Sequence, residues 1–417
     1  MSSFSRVRAD LLEMAPVADV AAIYLTVGNS PSDFSASTST RLNDPVVDAR
    51  ARAEHGRNGF LQISVSVLRS VEDLFNEPSD TGLAEQLNGL WNAWGSVANN
   101  PGDLAARNLV LQRARTVART LNASSSALSR ISQGLREQVA HDITDINTAA
   151  TALVQLNTAI VTANKSGSDV KSLEDQRDQL LMTLSDLAGA QATIHTDGNA
   201  TVTVGGQTLV SAAAAMPVSV NGSQLVVGAV AASSPTGSIG AVLNGLADVV
   251  PSYTTALDSV ANALAAGVNT VHQSGFDLAG NPSGPLFGGR TATMIGVLIT
   301  DPTELAAAGG PGGNLDASVA DSLASFGTRP TGPDAKYRTL VGALASAVRS
   351  AAQRAAVQQS VTSSVDSLAE SNSGISLDEE TTSMLMYQRA YQASARVLTT
   401  VDQMLDTLGS RPGSVGL

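Results

Sequence analysis

Asp378, Glu379 and Glu380 stand together in the way of an acid–base pair or a divalent-cation site. Their spacing argues for a different task. Ser376 and Glu379 form the Ser-x-x-Glu pattern of a capping box, so the trio falls in the first turn of a helix. Carboxylates there meet the positive end of the helix dipole, and capping is the preferred reading. A second acidic group, Glu174, Asp175 and Asp178 around Arg177, reads as a solvated helix face with ion pairs worth about 0.2–0.5 kcal/mol each. The four histidines, His55, His141, His195 and His272, are scattered, with no pair at helical ligand spacing for zinc. Neither Gly-x-Ser-x-Gly nor His-Glu-x-x-His occurs. Gly309–Gly313 lacks the Lys-Ser/Thr of a phosphate loop, and Gly288, Gly289 and Arg290 form none either. His195 with Asp197 is an isolated candidate for chemistry. No catalytic, cofactor-binding or metal residues are assigned, and no enzymatic activity is expected.

Composition narrows the classes further. The 417 residues suffice for two or three domains, yet only 3% are aromatic, while Ala, Ser, Thr, Leu and Val dominate. Small apolar side chains suit thin helix-on-helix seams better than one thick core. A net charge of −12 disfavours nucleic acid and anionic membrane surfaces as partners. No run of eighteen apolar residues is present, and the N-terminus lacks the pattern of a cleaved Sec-type signal. The absence of cysteine excludes disulfides and thiolate metal sites and leaves the redox compartment open.

The elements that position these residues are mostly helical. Residues 1–43 are irregular, with one strand-like run at Val20–Val27. Asp44 and Pro45 give an N-cap and a first-turn proline for a helix reaching about Phe75. After a turn at Pro78 and Gly82, one face carries Leu83, Leu87, Leu90, Trp91, Trp94 and Val97, so both tryptophans are expected in a core. Apolar residues then recur from Leu104 to Ile160, predicting a rod of about 90 Å, with a possible break at Asn122–Ser126. A returning helix around Leu173–Leu187 completes a rod domain over 44–189. At Gly189 the period turns to alternation, and short strands are predicted at Thr193–Thr196, Ala200–Val204, Gln207–Val210, Pro217–Val220 and Gln224–Val227. They form a β domain over 190–237 whose Ser/Thr/Gly-rich surface reads as a solvent-facing decoration. Helix resumes at about Ser238 and ends near Gly275, opening a second rod part over 238–371. Its Gly/Pro-rich loops at 276–333 hold one strand candidate, Met294–Ile299. Asp334 is expected to cap the next long helix.

The segment 372–417 is a coiled-coil-type assembly helix and tail. Leu377, Met384, Tyr387, Tyr391, Leu398, Val401, Leu405 and Leu408 follow the three-and-four spacing of a seam, and Gly409 stops the helix. A terminal helix has little else to bury against, so these eight residues are the candidate subunit contacts. The fold class is mainly α with an inserted β module (α+β), an elongated multi-domain helical rod.

The terminal stretches Ser373–Glu380 (Ser-Gly-Ile-Ser-Leu-Asp-Glu-Glu), Met386–Val397 (Met-Tyr-Gln-Arg-Ala-Tyr-Gln-Ala-Ser-Ala-Arg-Val) and Val401–Leu408 resemble the last helix of flagellar axial proteins. More narrowly, Val71–Pro78, Asn100–Arg107, Asp175–Leu181 and Val268–Leu278 resemble the hook-associated protein 1 family, the first junction proteins between hook and filament. The resemblance implies a non-enzymatic adaptor outside the cell, in the flagellum. It would be exported by the type III apparatus without a cleaved signal peptide. It also implies four partners: the hook protein, the next junction protein (hook-associated protein 3), an export chaperone, and further copies of the chain in a ring. Met1–Ser5 resembles the family's opening, but Arg6–Leu11 already resembles residues beyond its first turn, so a shortened N-terminal helix is expected. The other reading of the residues is a secreted adhesin or hydrolase on a helical stalk, working through the β module or the 276–333 loops.

Overall fold

The computed structural model describes residues 45–75, 77–233, 235–311 and 316–373, with 385, 386, 388, 389, 391–396, 399, 400 and 403 beyond. The Val20–Val27 run and the shortened opening lie outside the described residues. The chain divides into a unit of Pro45–Ala369 and a second unit comprising both chain ends.

Helix α1 (Pro45–Phe75) begins at the expected proline, and α2 (Leu83–Asn99) buries the predicted apolar face, including Trp91 and Trp94. The spine of the larger unit is α3 (Leu104–Ser166), 63 residues and about 95 Å long. Asp103 caps its start by accepting the Ala105 N–H at 2.8 Å, and Gly167 ends it in the left-handed conformation. The break considered at Asn122–Ser126 does not occur. Asn and Ser interrupt helices when their side chains compete for the local backbone. Here Asn122 instead donates to the carbonyls of Ala292 and Ile295, and Ser125 bonds Thr293. Helix α4 (Lys171–Ala188) returns antiparallel after the turn at Gly167.

Two apolar cores share this spine. Val110–Leu128 of α3 packs with α2, with α6 (Val250–His272), with the 286–307 segment and with Leu340 and Leu344 of α8 (Pro333–Ser373). Val139–Leu153 packs with α4, with α5 (Gly237–Asn244) and with the β module. Between α5 and α6 lies one π turn, Gly245–Val249, which the sequence reading did not anticipate. Gly245 sits where an added Cβ would meet Leu135 and Val67 at 3.1–3.2 Å, so helices α1 and α3 approach closely there.

The β module is two antiparallel sheets. The first has the order β1 (Gln191–Ile194), β2 (Ala200–Val204), β3 (Gln207–Val210). The second has the order β4 (Val218–Asn221), β5 (Gln224–Val227), β6 (Val230–Ala231). Strand β1 ends at Ile194 rather than Thr196 because a turn closes from His195 N–H to Asn199 O and from Gly198 N–H to His195 O. Strand β6 was not predicted. The reading of the module as a solvent-facing decoration needs correction, because one side of it is fastened to α3 by asparagines. Asn157 brackets Ala200, accepting its N–H and donating to its carbonyl, both at 2.8 Å. Asn147 brackets Val218 in the same way, and Asn164 donates to the Asp197 carbonyl. Each bracketing amide stands in for a neighbouring strand, satisfying backbone groups that burial would otherwise orphan.

The 276–333 region contains more structure than its composition suggested. Strand β7 (Phe287–Gly288) pairs with β8 (Gly296–Val297), the central part of the predicted strand. Asn269 of α6 brackets Phe287 as Asn157 brackets Ala200. Helix α7 (Ser318–Ala324) buries Val319, Ala320 and Leu323. Helix α8 starts at Pro333, so Asp334 is not its cap. The Asp334 carboxylate instead accepts the Trp91 indole N–H at 3.0 Å.

Candidate assembly interface

Of the eight predicted contact residues, Leu377, Met384, Tyr387, Leu398, Val401, Leu405 and Leu408 lie outside the described residues. The capping trio Asp378, Glu379 and Glu380 does too. Tyr391 is helical and 79% exposed. Leu385 and Met386, which the seam spacing passed over, are also helical and exposed. Apolar area returned from water gains roughly 25 cal/mol per Å², so the exposed ring of Tyr391 and the exposed side chains of Leu385 and Met386 favour a covering partner.

Helix α8, which leads toward this segment, is held against α1 by two kinds of contact. Val65 packs with Ala351 and Ala355 in a small apolar cluster that also takes in Leu61 and Leu68. Further along, the seam becomes polar. Gln358 donates to the Glu54 carboxylate at 2.7 Å, Asn58 donates to Gln359 at 3.0 Å, and Thr362 is buried beside the Glu54 carbonyl. His55 closes the seam between two carboxylates, with Nε2 3.0 Å from Asp366 and Nδ1 3.3 Å from Asp186 of α4. Burial pushes the Asp186 carboxyl upward and His55 opposes that shift. One imidazole thus ties three helices at the point where α8 leaves the larger unit.

The other chemistry-bearing residues have structural tasks. His272 is fully buried. Its Nδ1 lies 2.8 Å from the Gly284 carbonyl, and Nε2 accepts the Ala306 N–H at 2.9 Å, so the neutral Nδ1–H tautomer latches the 276–308 segment onto α6. Burial drives its pKa down to about 4, against the opposing pull of the Gly284 carbonyl. Arg107, also buried, donates to the carbonyls of Pro101 and Leu305 and fastens the same segment to α3. His195 bonds Thr201, and Asp197 accepts from Asn199 within its own turn, which holds the Asp197 carboxyl low. That pair makes a turn rather than a reactive site, and His141 is exposed.

Arg177 departs from expectation. It is not on a solvated face but 4% exposed, bonded to Asp178 and reaching the Gly198 carbonyl at 3.1 Å in the β1–β2 turn. Gly198 is itself left-handed, and a Cβ there would strike Ile160 and Asn164 at 2.7–2.8 Å. Its turn is therefore clamped between α3 and α4. Gly289 turns the β7–β8 hairpin, and Gly309 donates to Asp316 at 2.7 Å; both glycines belong to loops. Among the described residues no group of three or more His, Asp or Glu could hold a metal ion, and no helix is long and apolar enough to cross a membrane.

Comparison with known proteins agrees with an architecture that carries helical contacts. The family model of the flagellar hook-associated protein FlgK helical domain matches residues 68–287, over half the chain. A second, the flagellar basal body rod FlgEFG protein C-terminal family, matches residues 367–411. Flagellar hook-associated protein 1 of Bacillus subtilis is 25% identical over 437 aligned positions, covering 91% of this chain and 86% of that protein. The Escherichia coli protein of the same name is 23% identical, with 64% of this chain matched to 54% of its length. The structure of the flagellar hook junction protein FlgK from Burkholderia pseudomallei superposes with a TM-score of 0.70 at 15% identity, over 79% of this chain and all of that one. The last of these supports the fold alone, mainly α with a β module. The chain belongs to the FlgK family of flagellar hook-associated proteins, structural components of the bacterial flagellum.

Proposed function

We propose that this chain is the structural adaptor between hook and filament, working by subunit packing of its terminal and rod helices. The observation that carries the reading is the pairing of two flagellar family matches, one on the helical unit and one on residues 367–411. Exposed Tyr391, Leu385 and Met386 add a surface with apolar area to bury. The partners are the hook protein on one side, the next junction protein (hook-associated protein 3) on the other, and further copies of the chain in a ring. A flagellar export chaperone is a further partner, and the chain would reach the cell exterior without a cleaved signal peptide. The division into rod parts 44–189 and 238–371, a β domain over 190–237 and an assembly segment 372–417 belongs to the same proposal. Buried His272 and Arg107 use their polar atoms to fasten the 276–308 segment, which supports a structural role for both.

The reading is tested in a flagellated bacterium lacking its own hook-associated protein 1. Expression of this chain should restore filaments, and a version with Leu398→Asp and Leu405→Asp should not. Filaments restored equally by both would remove the terminal helix from the contact. Failure of the unaltered chain, when it is present and folded at hook tips, would remove the adaptor role.

A further inference from the structure

The chain carries −12 overall, yet from Leu104 to Arg136 of α3 there is no carboxylate and there are six arginines. Five of them are exposed, and four of these, Arg115, Arg119, Arg130 and Arg136, form a strip on one side. At about 100° per residue they share a sector of roughly 120°, and they run about 32 Å along the helix. None forms an ion pair among the described residues. At one end of the strip Gln112, Arg115, Arg119 and Asn122 form a wall of an open groove of about 500 Å³. The opposite wall is Ile295, Gly296 and Val297, flanked in sequence by Met294 and Leu298, which are 72% and 57% exposed. A strip of guanidiniums beside uncovered apolar side chains suits a protein surface that brings carboxylates together with apolar area.

The same unit carries a matching surface elsewhere. Around the α1–α2 turn Asp73, Asp80 and Glu85 are exposed and have no ion-pair partner among the described residues. Helix α2 packs on the far side of α3 from the strip. Gln86 meets Thr120 at 2.7 Å, and Gly89 lies beside Arg113. Those α3 positions are about 140–160° round the helix from Arg115. The four-arginine strip and the helix that carries Glu85 therefore lie on opposite sides of one spine, with Arg113 the single exposed arginine on the α2 side. Two copies can satisfy both only head to tail, a heterologous contact that repeats and closes into a ring or continues as a helix.

We infer that the Arg115–Arg136 strip of one copy docks on the Asp73–Asp80–Glu85 surface of the next. The inference rests on the assembly reading above, and its test needs no hooks, so the two fail separately. The chain has no cysteine, so introduced thiols report alone. One variant carries Gln112→Cys beside the strip and another carries Thr81→Cys beside the acidic surface. The two are mixed at high concentration with a short bismaleimide, and products are identified by mass spectrometry. Mixed 112–81 dimers should exceed both like-with-like dimers at least tenfold. Raising salt from 0.1 to 1 M, which shortens the screening length from about 10 to about 3 Å, should cut them severalfold.

A charge exchange completes the test. Adding Arg115→Glu and Arg119→Glu to the first variant should abolish the mixed product. Adding Asp73→Lys, Asp80→Lys and Glu85→Lys to its partner as well should restore it, which also shows that the altered chains fold. Dominant 112–112 or 81–81 dimers, no dimers at all, or no restoration by the paired exchange would each overturn the inference.

Discussion

Replacing His272 with glutamine is expected to remove a defined part of the chain's acid sensitivity. The imidazole is buried, donates from Nδ1 to Gly284 and accepts at Nε2 from the Ala306 N–H. Burial disfavours the imidazolium, so the folded chain resists the proton and the pKa falls from 6.5 to about 4. The unfolded chain binds that proton more readily. The contribution is therefore complete above pH 6.5 and is lost as pH falls toward 4. A shift of that size is worth about 3 kcal/mol in full, of which about 2.5 kcal/mol is lost between pH 7 and pH 4.5. Urea unfolding at several pH values would measure it, comparing His272→Gln with the unaltered chain so that other titrating groups cancel. Trp94, whose ring lies edge-on to His272 at 6.2 Å, offers a local fluorescence signal. The variant should be less stable at pH 7, because the latch is imperfect, but should lose about 2.5 kcal/mol less on acidification. Parallel pH profiles for the two chains would refute the reasoning.

Asp142 should act in the opposite sense. Its carboxyl is buried, only partly compensated by Gln138, and its pKa is raised by that burial, so stability falls as pH rises from the unfolded to the folded value. Asp142→Asn should abolish a loss of melting temperature that the unaltered chain shows between acid and neutral pH. Asn157→Ala strips the bracket from Ala200 and orphans two buried backbone groups, which should cost about 3 kcal/mol in urea unfolding. Trp91→Phe removes the indole N–H that serves the half-buried Asp334 carboxylate, and should cost about 1–3 kcal/mol, more at neutral than at acid pH because the N–H serves the ionised form.

The long helices were readable because each one repeats a large apolar residue every three or four positions, and strands β1 to β5 because Gly-rich turns punctuate alternation. The brackets were not readable. Nothing in the local pattern separates Asn157, which braces Ala200, from an asparagine on a wet helix face, since its partner is 43 positions away. Arg177 misled for the same reason, as its carbonyl partner lies 21 positions away in the β1–β2 turn. Helix α7 went unnoticed because its seven residues, Ser318–Ala324, give less than two full turns of period and sit between glycine-rich stretches. The Asn122–Ser126 stretch looked like a break because the partners that occupy Asn122 and Ser125, the Ala292 and Ile295 carbonyls and the Thr293 hydroxyl, are about 170 positions away in sequence. The terminal seam came from spacing alone, and there the described residues add the exposure of Tyr391, Leu385 and Met386.

Co-sedimentation with isolated hooks tests the central claim most directly. The purified chain should pellet with hooks at a saturating ratio of a fixed number of copies per hook end, and the Leu398→Asp/Leu405→Asp form should stay in the supernatant with an unchanged melting temperature. Equal pelleting of the two forms, or binding along hook sides without saturation at the ends, would contradict an adaptor that docks through its terminal helix.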